Sequence, residues 1–271
     1  MAFPIVIFSQ YPMADIMFSA VSAIGCYEML SCLGYKRRKR MMIPTVILAA
    51  LLPLICRFDH YTGLNFFNGT ETNVLITFLL LIMFMFFTFS IFSKGAIDIQ
   101  EAGFAAIMVI YIIGGSYAAI YVARTEYGQV IFPLIFVTSW ITDVFAYFTG
   151  YLFGRHKLIP NVSPKKTVEG SVGGMLFCAV SFIVYGFIVS KIMPGYSPHY
   201  LVLALIALVL SVISQIGDLL MSIIKRKHGI KDYGKLFAGH GGVLDRFDSI
   251  LAISFVFCLL CSTGELILLF K

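Results

Sequence analysis

The sequence predicts an all-α, polytopic membrane protein, and three observations carry that prediction. Of its 271 residues, 59% are hydrophobic and 13% charged, with a mean hydropathy of +0.92, well outside the range of soluble domains. The apolar residues gather into runs long enough to cross a bilayer, for which about 20 residues suffice. The basic residues between those runs collect on alternate crossings, as the positive-inside bias requires of a chain that spans repeatedly.

The opening MAFPIVIFSQYP holds an apolar stretch of about eight residues, too short to cross. It lacks the basic start and small-residue cleavage site of a signal peptide. It reads as a short ninth segment, truncated at its start if Met1 is an internal methionine. Eight clear spans follow, at 13–34, 41–56, 73–93, 101–123, 129–154, 171–193, 199–224 and 249–270. With strict alternation, KRRKR (36–40), Lys94, RHKLIPNVSPKK (155–166) and KRKHGIKDYGK (225–235) share one side, while Arg57, Arg124 and Lys271 share the other. The first side is expected to be cytoplasmic. Residues 1–128 are expected to serve packing and lipid access and to be available for homodimerisation. Residues 129–271 are expected to be catalytic, with cytoplasmic loops at 155–170 and 225–248.

Cys26, Cys32, Cys56, Cys178, Cys258 and Cys261 all fall in apolar runs without metal-ligand spacing, so they read as small buried hydrophobes. The net charge of +6 does not indicate nucleic acid, because topology and anionic lipid account for basic loops between spans.

Charges inside spans cost about 2.5–3.5 kcal/mol each on insertion scales, so Glu28, Asp143 and Asp218 each require a reason. Ser214, Asp218, Ser222 and Lys225 are spaced by four, four and three and so share one helical face leading to the cytoplasmic mouth. Asp245 and Asp248 share a face at the expected start of the last helix, where carboxylates also favour the helix N-terminus. Convergent carboxylates without Cys or His ligands suit a hard cation such as Mg2+, one ion or two. His240, Gly241 and Gly242 precede them in a glycine-rich turn able to bring backbone N–H groups to an anion. Lys225, Arg226, Lys231 and Arg246 surround the group with positive charge. Carboxylates, a basic loop and glycines in this arrangement point to phosphate chemistry.

A second cluster lies within DVFAYFTGYLFGRHKLIPNVSPKKTVEGSVGG (143–174). Asp143 and Tyr147 share a face one turn apart, and Gly150 and Gly154 permit close packing. Lys165 and Lys166 follow a proline-stiffened turn, and Glu169 stands at a helix start. Glu28 lies outside both clusters and is expected to serve stability more than turnover.

The run Ser222-x-x-Lys225-Arg226, Lys231-Asp232-x-Gly234, Phe237-Ala238-x-His240-Gly241-Gly242-Val243-x-Asp245-Arg246-Phe247-Asp248 resembles the pattern of phosphatidate cytidylyltransferases, or CDP-diacylglycerol synthases. Asp143-x-x-Ala146-Tyr147-x-x-Gly150 and Ser163-Pro164-Lys165-Lys166-Thr167-x-Glu169-Gly170 are similar to the same family's second region. The likeness is dense over 143–248, with Ala238 departing from the family's usual proline, glycine or serine. It implies transfer of a cytidylyl group from CTP to phosphatidate with a divalent metal. By resemblance, Asp218, Asp245 and Asp248 are the metal ligands and, with Lys166 and Arg246, the catalytic set. Asp143, Lys165, Ser222, Lys225, Arg226, Lys231, His240, Gly241 and Gly242 then bind substrate. The implied partners are CTP, phosphatidate and the bilayer, and the implied setting is a bacterial inner membrane with the site facing the cytoplasm. A CTP-dependent lipid kinase is the nearest alternative enzyme; an anion transporter is disfavoured because the hydropathy shows no paired halves.

Overall fold

The computed structural model describes residues 13–62, 71–93, 97–193, 195–236, 241–263 and 270, with the side chains of 56–62 and 71–74 excepted. The opening segment, Lys94, Ala238 and His240 lie outside the described residues. Among the described residues, eight α-helices run in chain order: α1 (Met13–Cys32), α2 (Lys39–Thr62), α3 (Glu71–Phe92), α4 (Ile99–Arg124), α5 (Gly128–Phe153), α6 (Val168–Ile192), α7 (Tyr200–Lys227) and α8 (Leu244–Ser262). Each falls on one of the eight expected apolar runs.

Six of them, α1 and α3 to α7, are long and apolar enough to cross a membrane. Of the other two, α2 has described side chains only over 39–55, and α8 carries three charges near its start. Lys39 and Arg40 open α2, and Asp245, Arg246 and Asp248 fall in the first turns of α8, which begins five residues before the expected apolar run.

One element departs from the all-α expectation. The loop after α5 folds as a hairpin, β1 (Lys157–Ile159) against β2 (Ser163–Thr167), with Lys157 opposite Thr167 and Ile159 opposite Ser163. Glu169 ties its base: its carboxylate accepts from the backbone N–H groups of Arg155 and His156 (3.1 and 3.2 Å) and lies 2.6 Å from the His156 Nδ1. Arg226 ties its tip, donating from Nε to the Val162 carbonyl (3.4 Å) and from its guanidinium to Ile230 (3.2 Å). The strand-forming stretch SPKKT contains no strand-length hydrophobic alternation, so it is tertiary support from α5 to α7 that makes it a strand.

The helices pack by small residues, since lipid provides no hydrophobic drive for helices to associate. The most extensive pairing is α5 on α6. There a Cβ at Gly173 would lie 2.5 Å from the Thr149 Cβ, and one at Gly174 would lie 2.7 Å from the Thr142 carbonyl. Thr167, whose hydroxyl accepts from the Gly170 N–H (3.1 Å), caps α6 and fills the space left by Gly150 and Gly154.

Phe18, Phe132, Phe136, Phe182 and Phe257 form one buried cluster; Met29, Leu30, Tyr35, Phe86 and Ile112 belong to a second beneath α2, α3 and α4. Large apolar side chains also cover the outside of α3 (Leu80, Phe84, Ile91), α6 (Leu176, Val180, Phe187) and α7 (Leu201, Leu205, Val209). An apolar exterior around an apolar core is the arrangement of a protein solvated by lipid. Near the ends of α1 and α4 farthest from the hairpin, Asp15 accepts from Arg124 at 2.8 Å, each charge complementing its own helix terminus.

Candidate active site

Four aspartates and two lysines meet in one cavity of about 310 Å³. Asp143 enters from α5, Asp218 from α7, and Asp245 and Asp248 from the first turns of α8. Lys165 and Lys166 come from β2, and Tyr147, Leu158, Ser163 and Thr167 complete the hairpin side. Residues far apart in sequence are thus brought together by α5 and α6 packing against α7.

Three of the four carboxylates have a polar partner close by. Lys166 forms an ion pair with Asp218, whose other oxygen receives the Ser222 hydroxyl at 3.4 Å. Lys225 donates to Asp245 at 2.7 Å, and the second Asp245 oxygen accepts from the N–H groups of Tyr233 and Gly242 at 2.8 and 2.9 Å. The Lys225 ammonium also lies over the Tyr233 ring, 5.5 Å from its centre. Tyr233 anchors this loop by donating its hydroxyl to the Met221 carbonyl at 3.0 Å, and burial pushes its phenol above the usual range. Asp248 is almost wholly buried and accepts from its neighbour Ser249 N–H at 2.7 Å.

The expected site residues divide cleanly by position. Asp143, Asp218, Asp245, Asp248, Lys165 and Lys166 line the cavity, while Ser222 and Lys225 stand directly behind Asp218 and Asp245. Gly241, at φ +83°, and Gly242 adjoin the Asp245 carboxylate. Arg226, Lys231 and Arg246 do not line the cavity, and Arg226 is engaged with the hairpin tip. On the expected polar stripe of α7, Ser214 does not line the cavity, whereas Gln215 beside it does.

Sequence reasoning missed Gln215 and Ser171, whose side chains meet at 2.5 Å in the cavity wall. Gln215 stands three residues before Asp218, and that helical spacing is the signal that marks it. Glu28, expected outside both clusters, does not line the cavity; it reaches from α1 to the start of α8 and accepts from the N–H groups of Val243 (3.1 Å) and Leu244 (2.8 Å). A contact between residues 216 positions apart leaves no trace in spacing.

The donor set is hard: oxygen from carboxylates and hydroxyls, without thiolate or imidazole among the described lining residues. Two of the four carboxylates already carry a lysine ammonium. Among the described residues no three of His, Cys, Asp or Glu stand close enough together to ligate one ion as they are. The four aspartates sharing one cavity nevertheless have the chemistry a hard divalent cation requires.

Comparison with known proteins gives a consistent picture. The chain is 32% identical over 235 residues to the phosphatidate cytidylyltransferase of Bacillus subtilis, covering 86% of this chain and 84% of that protein. It is 37% identical over 215 residues to that of Staphylococcus saprophyticus (79% and 78% covered) and 35% over 182 residues to that of Staphylococcus haemolyticus (67% of each). A model of the Cytidylyltransferase family matches residues 1–263, nearly the whole length, and the chain belongs to that family.

Proposed function

We propose that this protein transfers the cytidylyl group of CTP to phosphatidate, releasing pyrophosphate and forming CDP-diacylglycerol for phospholipid synthesis. The observation that carries the reading is the single cavity where four aspartates face two hairpin lysines, in a chain of this family. A phosphatidate oxygen is already an anionic nucleophile. It attacks the α-phosphorus of CTP, the bond to the bridging oxygen breaks, and pyrophosphate leaves with the electron pair.

No side-chain base is required for this step; the barrier lies in bringing anions together and stabilising the leaving group. Lys165, Lys166 and Lys225 supply cationic donors at the cavity, while Arg226 acts by holding the hairpin that carries two of them. Arg246 and Lys231 add positive potential outside the cavity wall, which attracts an anionic nucleotide. Asp218, Asp245 and Asp248 would hold Mg2+, with Asp143 beside them. Bound there, one or two Mg2+ ions would neutralise phosphate charge and polarise the reacting phosphoryl group.

In this reading all eight helices span a bacterial inner membrane, with the basic loops and the cavity on the cytoplasmic side. CTP enters from water, while the phosphatidate acyl chains remain among the helices. A homodimer formed through the 1–128 region is compatible with this arrangement.

The test is a purified-protein assay with phosphatidate and CTP labelled in the cytosine, with and without Mg2+. Labelled CDP-diacylglycerol and one equivalent of pyrophosphate are expected. Release of free CDP with a phosphorylated lipid would instead identify a lipid kinase, and transport without turnover in proteoliposomes would overturn the enzyme reading.

A further inference from the structure

A carboxylate within an apolar helix is retained only where something compensates its desolvation. Glu28 is 4% exposed, and its compensation is unusual in kind: two backbone N–H groups at the start of another helix. The first N–H groups of α8 have no partner within the helix, and the N-cap residue Val243 provides no side-chain acceptor. Glu28 supplies the missing cap from α1. Each oxygen takes one donor, and the negative charge sits at the positive end of the helix.

The surrounding chain is shaped to this carboxylate. A Cβ at Gly242 would lie 2.6 Å from a Glu28 oxygen, and one at Gly234 would lie 2.8 Å from its carboxyl carbon. Neither position admits a side chain while Glu28 keeps its place. One turn earlier on α1, Gly25 faces Leu244, with a Cβ there lying 3.6 Å from the leucine. The preceding backbone N–H, that of Gly242, is held by Asp245. Three successive amides, Gly242 to Leu244, therefore end on two carboxylates, one of them a cavity aspartate.

We infer that Glu28 is a positioning residue for cytidylyl transfer: by capping α8 from α1, it sets where Asp245 and Asp248 point into the cavity. Glu28 does not line the cavity, so it acts through the helix start and not on substrate. The inference rests on the proposed reaction. It assigns to the N-terminal half a part in the active site beyond packing and lipid access. An amide in place of the carboxylate is nearly the same size but offers one acceptor, with its NH2 turned towards an N–H. Glu28→Gln therefore removes one hydrogen bond and the charge while preserving volume. Glu28→Asp keeps both oxygens and withdraws them by one methylene.

The experiment uses the full chain in detergent, comparing wild type, Glu28→Gln and Glu28→Asp. Backbone amide exchange over 241–246 should quicken by about tenfold in Glu28→Gln, with α5 and α6 unchanged. At saturating CTP, turnover per folded molecule should fall by about tenfold or more, and the Mg2+ concentration for half-activation should rise similarly, because misaligned ligands lose cation affinity. Glu28→Asp should recover part of both. Wild-type exchange over 241–246 in Glu28→Gln would overturn the inference. So would faster exchange with turnover and Mg2+ half-activation both within about twofold of wild type, since that is the pattern of a merely structural cap. Absence of CDP-diacylglycerol formation by the wild type would sink the proposed reaction itself, a result distinct from either.

Discussion

Asp218 and Asp245 are expected to contribute equally to turnover and unequally to stability, and the structure sets the difference. The side chains of Asp245 and Lys225 are only 7% and 10% exposed, and Asp245 satisfies two backbone N–H groups besides the lysine. Asp245→Asn leaves a buried ammonium without its counter-charge and turns an amide NH2 towards either that lysine or the two N–H donors. Breaking a buried pair from one side costs about 3–5 kcal/mol. Asp218 and Lys166 are 25% and 26% exposed, and the further contact to Ser222 is long at 3.4 Å. Asp218→Asn is therefore expected to cost about 1 kcal/mol or less. Both substitutions remove a carboxylate of the proposed metal cluster, so each should lower turnover by about 100-fold or more, and the double variant should lose little beyond either single one. The assay pairs apparent melting temperature in detergent with the initial rate of CDP-diacylglycerol formation at saturating CTP. Lys225→Gln in the Asp245→Asn background should restore part of the lost stability without restoring turnover, because the unpaired charge is gone while the ligand is still missing. Equal destabilisation by the two asparagine variants would refute the burial argument. Near-normal turnover by Asp218→Asn, or losses that multiply, would refute the shared cluster.

Chelation should abolish turnover and Mg2+ should restore it, since the cavity offers only hard oxygen donors among its described residues; full activity in excess chelator would remove the metal from the mechanism. Lys166→Ala should raise the CTP concentration for half-saturation while leaving measurable turnover, because Lys165 in the same wall replaces part of a point charge. A complete loss with normal folding would instead give Lys166 a role its neighbour cannot fill. Gly173→Leu should prevent accumulation of folded protein, as the Thr149 side chain already occupies the space its Cβ would need. Normal yield and melting temperature would show that α5 and α6 do not depend on that close approach.

Much of the candidate site is local in sequence, and there spacing was sufficient. Asp143 with Tyr147, Asp218 with Ser222, and Asp245 with Asp248 each sit at three- or four-residue helical intervals, so their shared faces follow from the 3.6-residue period alone. The positions of the eight helices were legible for a similar reason: apolar runs separated by charge report where a helix can lie in lipid. The hairpin at 157–167 was not legible, because its strands are polar and short and are held by Glu169 at the base and Arg226 at the tip. Which basic residues reach the cavity was likewise undetermined by charge counting. Lys165 and Lys166 enter it from the hairpin, whereas Arg226 is spent on that hairpin's loop. Glu28 is the extreme case. Composition could say that a buried carboxylate needs a partner, but the partner is a pair of backbone N–H groups, chemically alike at every residue. Only the tertiary packing of α1 against the start of α8 decides which two amides it meets.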